Sequence, residues 1–305
     1  MHITLSQPYS FCQIGRRDNQ EDARYPDSDC PQDYEPFFIV CDGVGGGEDG
    51  ELASRTVCHS LGRSFSKLNW RDREFTTDDF NVALDEAYQA LTRADEGRHT
   101  DMATTLTFVC FHQGGCTMAH LGDSRIYQIR PGRGIMYRSD DHSLVNELVH
   151  AGIISPEAAS THPDRSVITR CMAANDDERS LPTLIRTTDI EAGDYFFLCS
   201  DGVLAKVSEE QLEDIICSQD NDEDKCRQIA AMSRDSHDNN TAYLIRVEQV
   251  EGAQPVDDHF YEQSDDEHVT IRTQRTYPMT VDVTPTELDN SWNSRLSRFI
   301  KKVFK

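Results

Sequence analysis

The chain has 305 residues, a formal net charge of −24 and 37% hydrophobic residues, enough to bury the core of one large domain with an appendage. The acidic excess excludes nucleic acid as a partner, because phosphate backbones are held by basic surfaces. Ten cysteines are scattered without a C-x2-C pair that would suggest zinc, the N-terminus lacks the apolar core of a signal peptide, and no stretch approaches the roughly 20 apolar residues of a membrane span; the expectation is a cytoplasmic monomer with reduced thiols.

The first clear element is "FFIVCDGVGGGEDGELAS", residues 37–54, which opens as a buried strand, Phe37–Cys41, and leads into a helix over Glu51–Ser66. Gly45, Gly47 and Gly50 fit the G-x-G-x-x-G spacing of a dinucleotide loop, yet Asp42, Glu48, Asp49 and Glu51 would crowd carboxylates around a pyrophosphate. A carboxylate at a strand end, followed by glycines that let carbonyls approach closely, suits a hard cation better. The next helix covers Asp79–Ala94, with Phe80, Ala83, Leu84, Ala87, Tyr88 and Leu91 on one face. Strands over Thr104–His112, Thr117–Leu121 and Ile126–Arg130 follow with short connections, favouring antiparallel hairpins over a doubly wound parallel sheet. A helix over Ser143–Ala151, strands over Thr183–Thr187 and Tyr195–Cys199, and a helix ending at Cys217 with Ser208 and Gln211 as its capping box come next. The acidic run "DNDED", from Asp220, reads as a solvated loop; as a calcium loop it would have Lys225 where glycine is needed and Ala231 where a bidentate glutamate is needed. After a strand over Thr241–Val247 the composition changes, which divides the chain into a domain over 1–249, an acidic and polar linker over 250–290, and a basic amphipathic segment over 291–305.

Four aspartates stand at strand ends beside small residues: Asp22 in "GRRDNQEDA", Asp42 in "CDGVGG", Asp201 in "CSDGV" and Asp238 in "DSHDNNTAYLI". Singly each is an ordinary turn former. Together they could meet at one edge of packed sheets, where mutual repulsion would raise their pKa values and divalent cations would remove the penalty. A cysteine-dependent phosphatase chemistry is excluded, since no cysteine has arginine at the C-x5-R offset; Cys12 and Cys58 have theirs one position too early.

In their order, "GRRDNQEDA", "CDGVGG", "ATTLTFV", "HLGDSRIYQIR", "DHSLVNELVHAG", "HPDRSVITR", "FFLCSDGV" and "DNNTAYLI" resemble the metal-dependent serine/threonine protein phosphatases of the 2C type, in particular their bacterial branch, from about Gly15 to Val247. The resemblance implies an α+β fold, a four-layer αββα sandwich of two antiparallel sheets flanked by helices, here with a C-terminal extension. It implies two Mn²⁺ or Mg²⁺ ions and hydrolysis of phosphoserine and phosphothreonine on proteins by a metal-activated water, opposing a kinase. Carried over by position, Asp42 would bridge both metals, the Gly43 carbonyl would bind one, Asp201 and Asp238 would complete one shell, and Glu21 with Asp22 would support the other ion. Arg17 would grip the substrate phosphate, its fork matching phosphate oxygens; Arg16 reads as a surface residue. The same fold could also serve as a catalytically weak module that binds phosphoproteins.

Two departures stand out. Val44 occupies the place of a histidine proposed as general acid in eukaryotic members, and His120, His142, His162 and His237 read as structural. Ala205 stands where many relatives place an aspartate that joins Asp123 to bind a third metal. Finally, "SWNSRLSRFIKKVFK" places Trp292, Leu296, Phe299, Ile300, Val303 and Phe304 on one helical face and five basic residues mostly on the other. It suits either a peripheral anchor on anionic lipid or docking onto a partner or onto the acidic domain itself.

Overall fold

The structure is a computed structural model that describes residues 1–273 except 46, 71–72, 99, 101, 175–178, 253–258 and 264–268. In chain order the elements are β1 (His2–Leu5), β2 (Tyr9–Gln13), β3 (Asp22–Tyr25), β4 (Phe37–Val44), α1 (Gly47–Phe65), α2 (Thr77–Asp95), β5 (Ala103–Thr104), β6 (Leu106–His112), β7 (Gly115–Leu121), β8 (Arg125–Arg130) and β9 (Gly134–Arg138). They continue with α3 (Leu144–His150), α4 (Pro156–Ser160), β10 (Met172–Ala173), β11 (Thr183–Thr187), β12 (Tyr195–Cys199), α5 (Asp201–Leu204), α6 (Glu209–Cys217), α7 (Asp222–Ser233), β13 (Asn240–Glu251), β14 (His259–Gln263) and β15 (Val269–Thr273).

Every named strand pair is antiparallel, and the strands form two sheets. One runs β1-β13-β12-β8-β9 with β2 beside β13; the other runs β10-β5-β4-β6-β7-β11-β14-β15 with β3 beside β4. Strand alternation distributes the apolar runs over three cores. In β4, Phe37, Ile39 and Cys41 face α1 and α2, whereas Phe38 and Val40 face the other sheet. In β12, Tyr195, Phe197 and Cys199 face α6 and α7, whereas Phe196 and Leu198 turn to the intersheet core. Both faces of these antiparallel strands are therefore dry, which is why "FFIVC" and "YFFLC" show no polar alternation. The result is the αββα sandwich implied by the family resemblance. Six of the ten cysteines are buried, all within these three cores.

Aromatic packing anchors the helix-facing core of the larger sheet. Phe65, at the end of α1, meets Phe108 on β6 at a ring separation of 4.7 Å and Phe75 at 5.5 Å, all three rings being buried. Truncating such a ring costs about 3–5 kcal/mol, so this cluster fixes α1 against β4 and β6.

The capping box of Ser208 and Gln211 is present at α6. The run from Asp220 is not a solvated loop throughout: α7 begins within it, with Asn221 Oδ1 accepting the Asp224 N–H at 2.9 Å. An asparagine cap followed by three acids in the first turn is a helix start that the calcium-loop comparison obscured. Past the composition change, β13 continues to Glu251, and β14 and β15 pair as a hairpin, β14 lying beside β11; these strands fall within the span read as a linker. Met1–Thr273 form one compact unit. The basic segment 291–305 lies outside the described residues.

Candidate active site

The acidic residues reach one end of the sandwich from both sheets. Asp42 follows the apolar part of β4, and Asp22 on β3 is its direct antiparallel partner. The Asp42 backbone is clamped from its other side: its N–H donates to Thr105 Oγ1 at 2.9 Å, and its carbonyl accepts from Thr104 Oγ1 and the Thr105 N–H, both at 2.8 Å. From the other sheet, β12 gives way to Ser200 and then to Asp201 at the start of α5. Ser200 Oγ donates to Asp22 Oδ2 at 2.8 Å and so joins the acidic ends of the two sheets. Gly202 is needed where α5 meets the loop before β13, since a Cβ there would lie 1.9 Å from the Asn239 carbonyl oxygen.

Arg17 and Glu21 sit on the loop between β2 and β3, which is stapled to the Asp238 loop. Asn239 Oδ1 accepts the Glu21 N–H at 2.7 Å, and its Nδ2 donates to the carbonyls of Ile14 and Asn19 at 2.8 and 2.9 Å. Arg17 thereby pairs with Asp238 at 2.6 Å, both side chains partly exposed, whereas Arg16 uses its backbone N–H to hold the Ser236 carbonyl. Glu21 Oε1 accepts the Gly47 N–H at 2.6 Å. The glycines of the β4–α1 turn allow this closure, for a Cβ on Gly43 would lie 2.3 Å from the Gly50 carbonyl oxygen.

Burial dominates the electrostatics, with mutual repulsion added. It pushes Asp22 up to about 7 and Asp201 up to about 6, and holds Asp42 well above the usual carboxylate range. Asp123, just after Gly122, is pushed up to about 7 by burial and then by the charges of Asp201 and Asp141. Asp22 Oδ1 and Asp201 Oδ1 are buried with no hydrogen-bond partner. A buried unpaired acceptor costs about 1–3 kcal/mol or more when charged, and a divalent cation relieves both that cost and the repulsion. The hard oxygen donors suit Mn²⁺ or Mg²⁺. Among the described residues no three histidine, cysteine, aspartate or glutamate side chains stand as a finished ligand cluster; the fit rests on the orphaned oxygens and on the concentrated negative charge.

His120 and His142 serve the framework. His120 and His142 are stacked at 4.7 Å, His142 Nδ1 accepts the Gly122 N–H at 3.1 Å, and burial pushes both rings below their usual range. His142 thus helps to hold the turn that carries Asp123. His162 Nδ1 accepts the Asp164 N–H at 3.2 Å. Sequence reasoning singled out the acids but not Thr104, Thr105, Ser200 or Asn239, which position them. All four lie inside the motifs quoted above, but their partners are remote in sequence.

Residues 16–234 match the family described as protein phosphatase 2C. The chain belongs to the protein phosphatase 2C family. It is a serine/threonine protein phosphatase of the bacterial branch. It is 32% identical to the protein phosphatase PhpP of Streptococcus pneumoniae over 188 residues, 60% of this chain and 73% of that one. The crystal structure of the serine/threonine phosphatase PstP/Ppp of Mycobacterium tuberculosis superposes with a TM-score of 0.69 at 27% identity, covering 81% of this chain and all of that chain. A PstP catalytic domain in complex with two manganese ions superposes with a TM-score of 0.65 at 26% identity, covering 80% of this chain and 99% of that one.

One member-specific feature concerns a third ion. Ala205 follows α5 and brings no side-chain oxygen towards Asp123, and Asp141 is engaged by Arg125 at 2.6 and 2.7 Å. With the two-ion centre proposed below, manganese titration of this 2C phosphatase should show two tight sites, with a third only at high Mn²⁺. Ala205→Asp should bring the third into the range of the others; full occupancy of a third site by the wild type at modest Mn²⁺ would contradict this.

Proposed function

We propose that the acidic centre is a dinuclear Mn²⁺ or Mg²⁺ site that hydrolyses phosphoserine and phosphothreonine on proteins. The observation that carries the reading is the set of aspartates that converge from both sheets, Asp22 buried and Asp42 and Asp201 half-buried, with orphaned oxygens on Asp22 and Asp201, next to the half-exposed Arg17. Asp42, the Gly43 carbonyl, Asp201 and Asp238 would hold the ions, with Glu21 and Asp22 in support and Asp123 as the candidate for a weak third. When bound, the ions supply positive charge and an activated water at neutral pH.

The remaining work falls to the chain. Thr104, Thr105 and Ser200 keep the carboxylates in place, and the Asn239 staple sets the position of the Arg17 loop. Arg17, half exposed, exchanges Asp238 for the incoming phosphate, whose equatorial oxygens match its fork. Cleavage breaks the bond between phosphorus and the serine or threonine oxygen. The oxygen of a water bonds to phosphorus as that bond breaks, and the departing serine or threonine oxygen takes its proton from water or from another group, since Val44 cannot donate one. The substrates on this reading are phosphoproteins, and the counterpart is the kinase that phosphorylates them. Among the described residues no helix is long and apolar enough to cross a membrane.

Purified protein should release phosphate from a phosphothreonine peptide in Mn²⁺ and lose that activity in EDTA, with recovery on adding Mn²⁺ back. Hydrolysis that is indifferent to EDTA would refute the metal-dependent reading.

A further inference from the structure

Helix α1 starts at the acidic centre and then carries the opposite charge away from it. Its first turn touches the site through the Gly47 N–H on Glu21 and through Gly50 against Gly43. Beyond that turn Arg55, His59 and Arg63 follow one another at four-residue spacing, all exposed, while Ala53, Val57 and Leu61 on the same helix are buried. With Tyr25, Leu52 and Arg98 they line a groove of about 650 Å³, whose end nearest the site is formed by Glu48 and Glu51. Three guanidiniums against the two carboxylates of Glu48 and Glu51 leave the groove lining with a formal charge of +1, in a chain of net charge −24.

The arginines are not equally engaged. Arg55 pairs with Glu51 at 2.9 Å and Arg98 with Asp49 at 3.2 Å, both at the end nearer the acidic centre. Among the described residues Arg63 pairs with no carboxylate; its Nε donates to the His59 carbonyl at 3.3 Å. An incoming carboxylate would only replace like with like at Arg55 and Arg98. A phosphate carries up to two charges and three acceptor oxygens, and it forms the stronger bidentate contacts with guanidinium. From Gly50 to Arg63 is thirteen residues of helix by their numbers, roughly 20 Å at the α-helical rise. An extended peptide covers that distance in about six residues.

We propose that the α1 groove binds a second phosphate of a multiply phosphorylated substrate, about six residues from the phosphate being hydrolysed, with Arg63 and His59 as its specificity-determining contacts. The assignment rests on the phosphatase reading of the acidic centre and deepens it by naming a substrate class.

The test uses full-length protein with Mn²⁺ and fluorescent peptides whose phosphates are replaced by non-hydrolysable phosphonates, with binding read by anisotropy. One peptide carries a single phosphonate; two others carry a second one six residues away, on either side. One of the two-phosphonate orders should bind about tenfold more tightly than the single-phosphonate peptide, the scale of a charge-assisted contact. Arg63→Glu should erase that gain, Arg63→Lys should keep part of it, and neither should alter turnover of a small aryl phosphate. Equal binding of one- and two-phosphonate peptides by the wild type, or a gain that survives Arg63→Glu, overturns the proposal. So does a glutamate in place of the second phosphonate that gives the whole gain. Binding is read without turnover, so a protein that cleaves no aryl phosphate counts against the phosphatase reading, while an active one without discrimination counts against the groove alone.

Discussion

Asp42→Asn should lower Mn²⁺-dependent hydrolysis by on the order of a thousandfold or more and, in the metal-free protein, raise the melting temperature. Both effects come from the same charge. Asp42 lies half-buried opposite Asp22 and close to the charges of Asp201, Asp123 and Asp238, so removing its carboxylate relieves repulsion and, on the proposed reading, also removes a shared metal ligand. The pH dependence has a definite sign. A carboxyl whose pKa is higher in the folded than in the unfolded chain binds more protons when folded, so stability falls as pH rises through the window between the two values. For Asp22, raised from 3.8 to about 7, and Asp201, raised to about 6, the penalty is absent below the lower value and fully present above the upper one. In EDTA the wild type should therefore lose stability from pH 5 to pH 8 relative to Asp42→Asn, by an order of 1–3 kcal/mol or several degrees in Tm. Adding Mn²⁺ at the upper pH should restore the wild type far more than the variant. Parallel Tm profiles for the two proteins in EDTA would show that the cluster carries no such strain.

The second large effect is expected from Gly202→Ala. The added methyl would lie 1.9 Å from the Asn239 carbonyl oxygen and 3.3 Å from Asp238 Cβ, so α5 and the Asp238 loop must part by about an ångström to restore ordinary contact. Overpacking of this kind costs about 1–3 kcal/mol of stability. The functional loss should be larger than the stability loss, because Asp201 and Asp238 lie on the two sides of the contact and Asn239 also holds the Arg17 loop. A displacement near an ångström costs on the order of a hundredfold in rate when reacting groups must be aligned. Activity at saturating Mn²⁺, measured well below the variant's own Tm, separates the two effects; wild-type turnover under those conditions would mean that the two loops adjust without moving their carboxylates.

The sequence by itself marked the principal strands and helices and the aspartates at strand ends, while the four layers were implied by the family resemblance. Period and length marked β4, β6, β7, β8, β11, β12 and β13 and the helices α1, α2 and α6, because each buries an apolar stripe or run that local chemistry reveals; α3, also marked, buries only Val145. The aspartates stood out because a carboxylate after an apolar strand is conspicuous wherever it occurs. The short strands β1, β2 and β3 were not marked, since their pairing energy comes from β13 and β4 and not from a pattern of their own.

Only the tertiary structure decided how the acids meet. The register that sets Asp22 opposite Asp42, the Ser200 bond across 178 residues and the Glu21–Asn239 bond across 218 residues leave no trace in any local window. The same holds for the raised pKa values, which come from burial that no single motif contains, and for the basic groove, whose Arg98 comes from beyond α2 to join residues of α1. A strand or helix is specified by neighbours along the chain, but a charge cluster is specified by distance through space, and that distance exists only once the two sheets have packed.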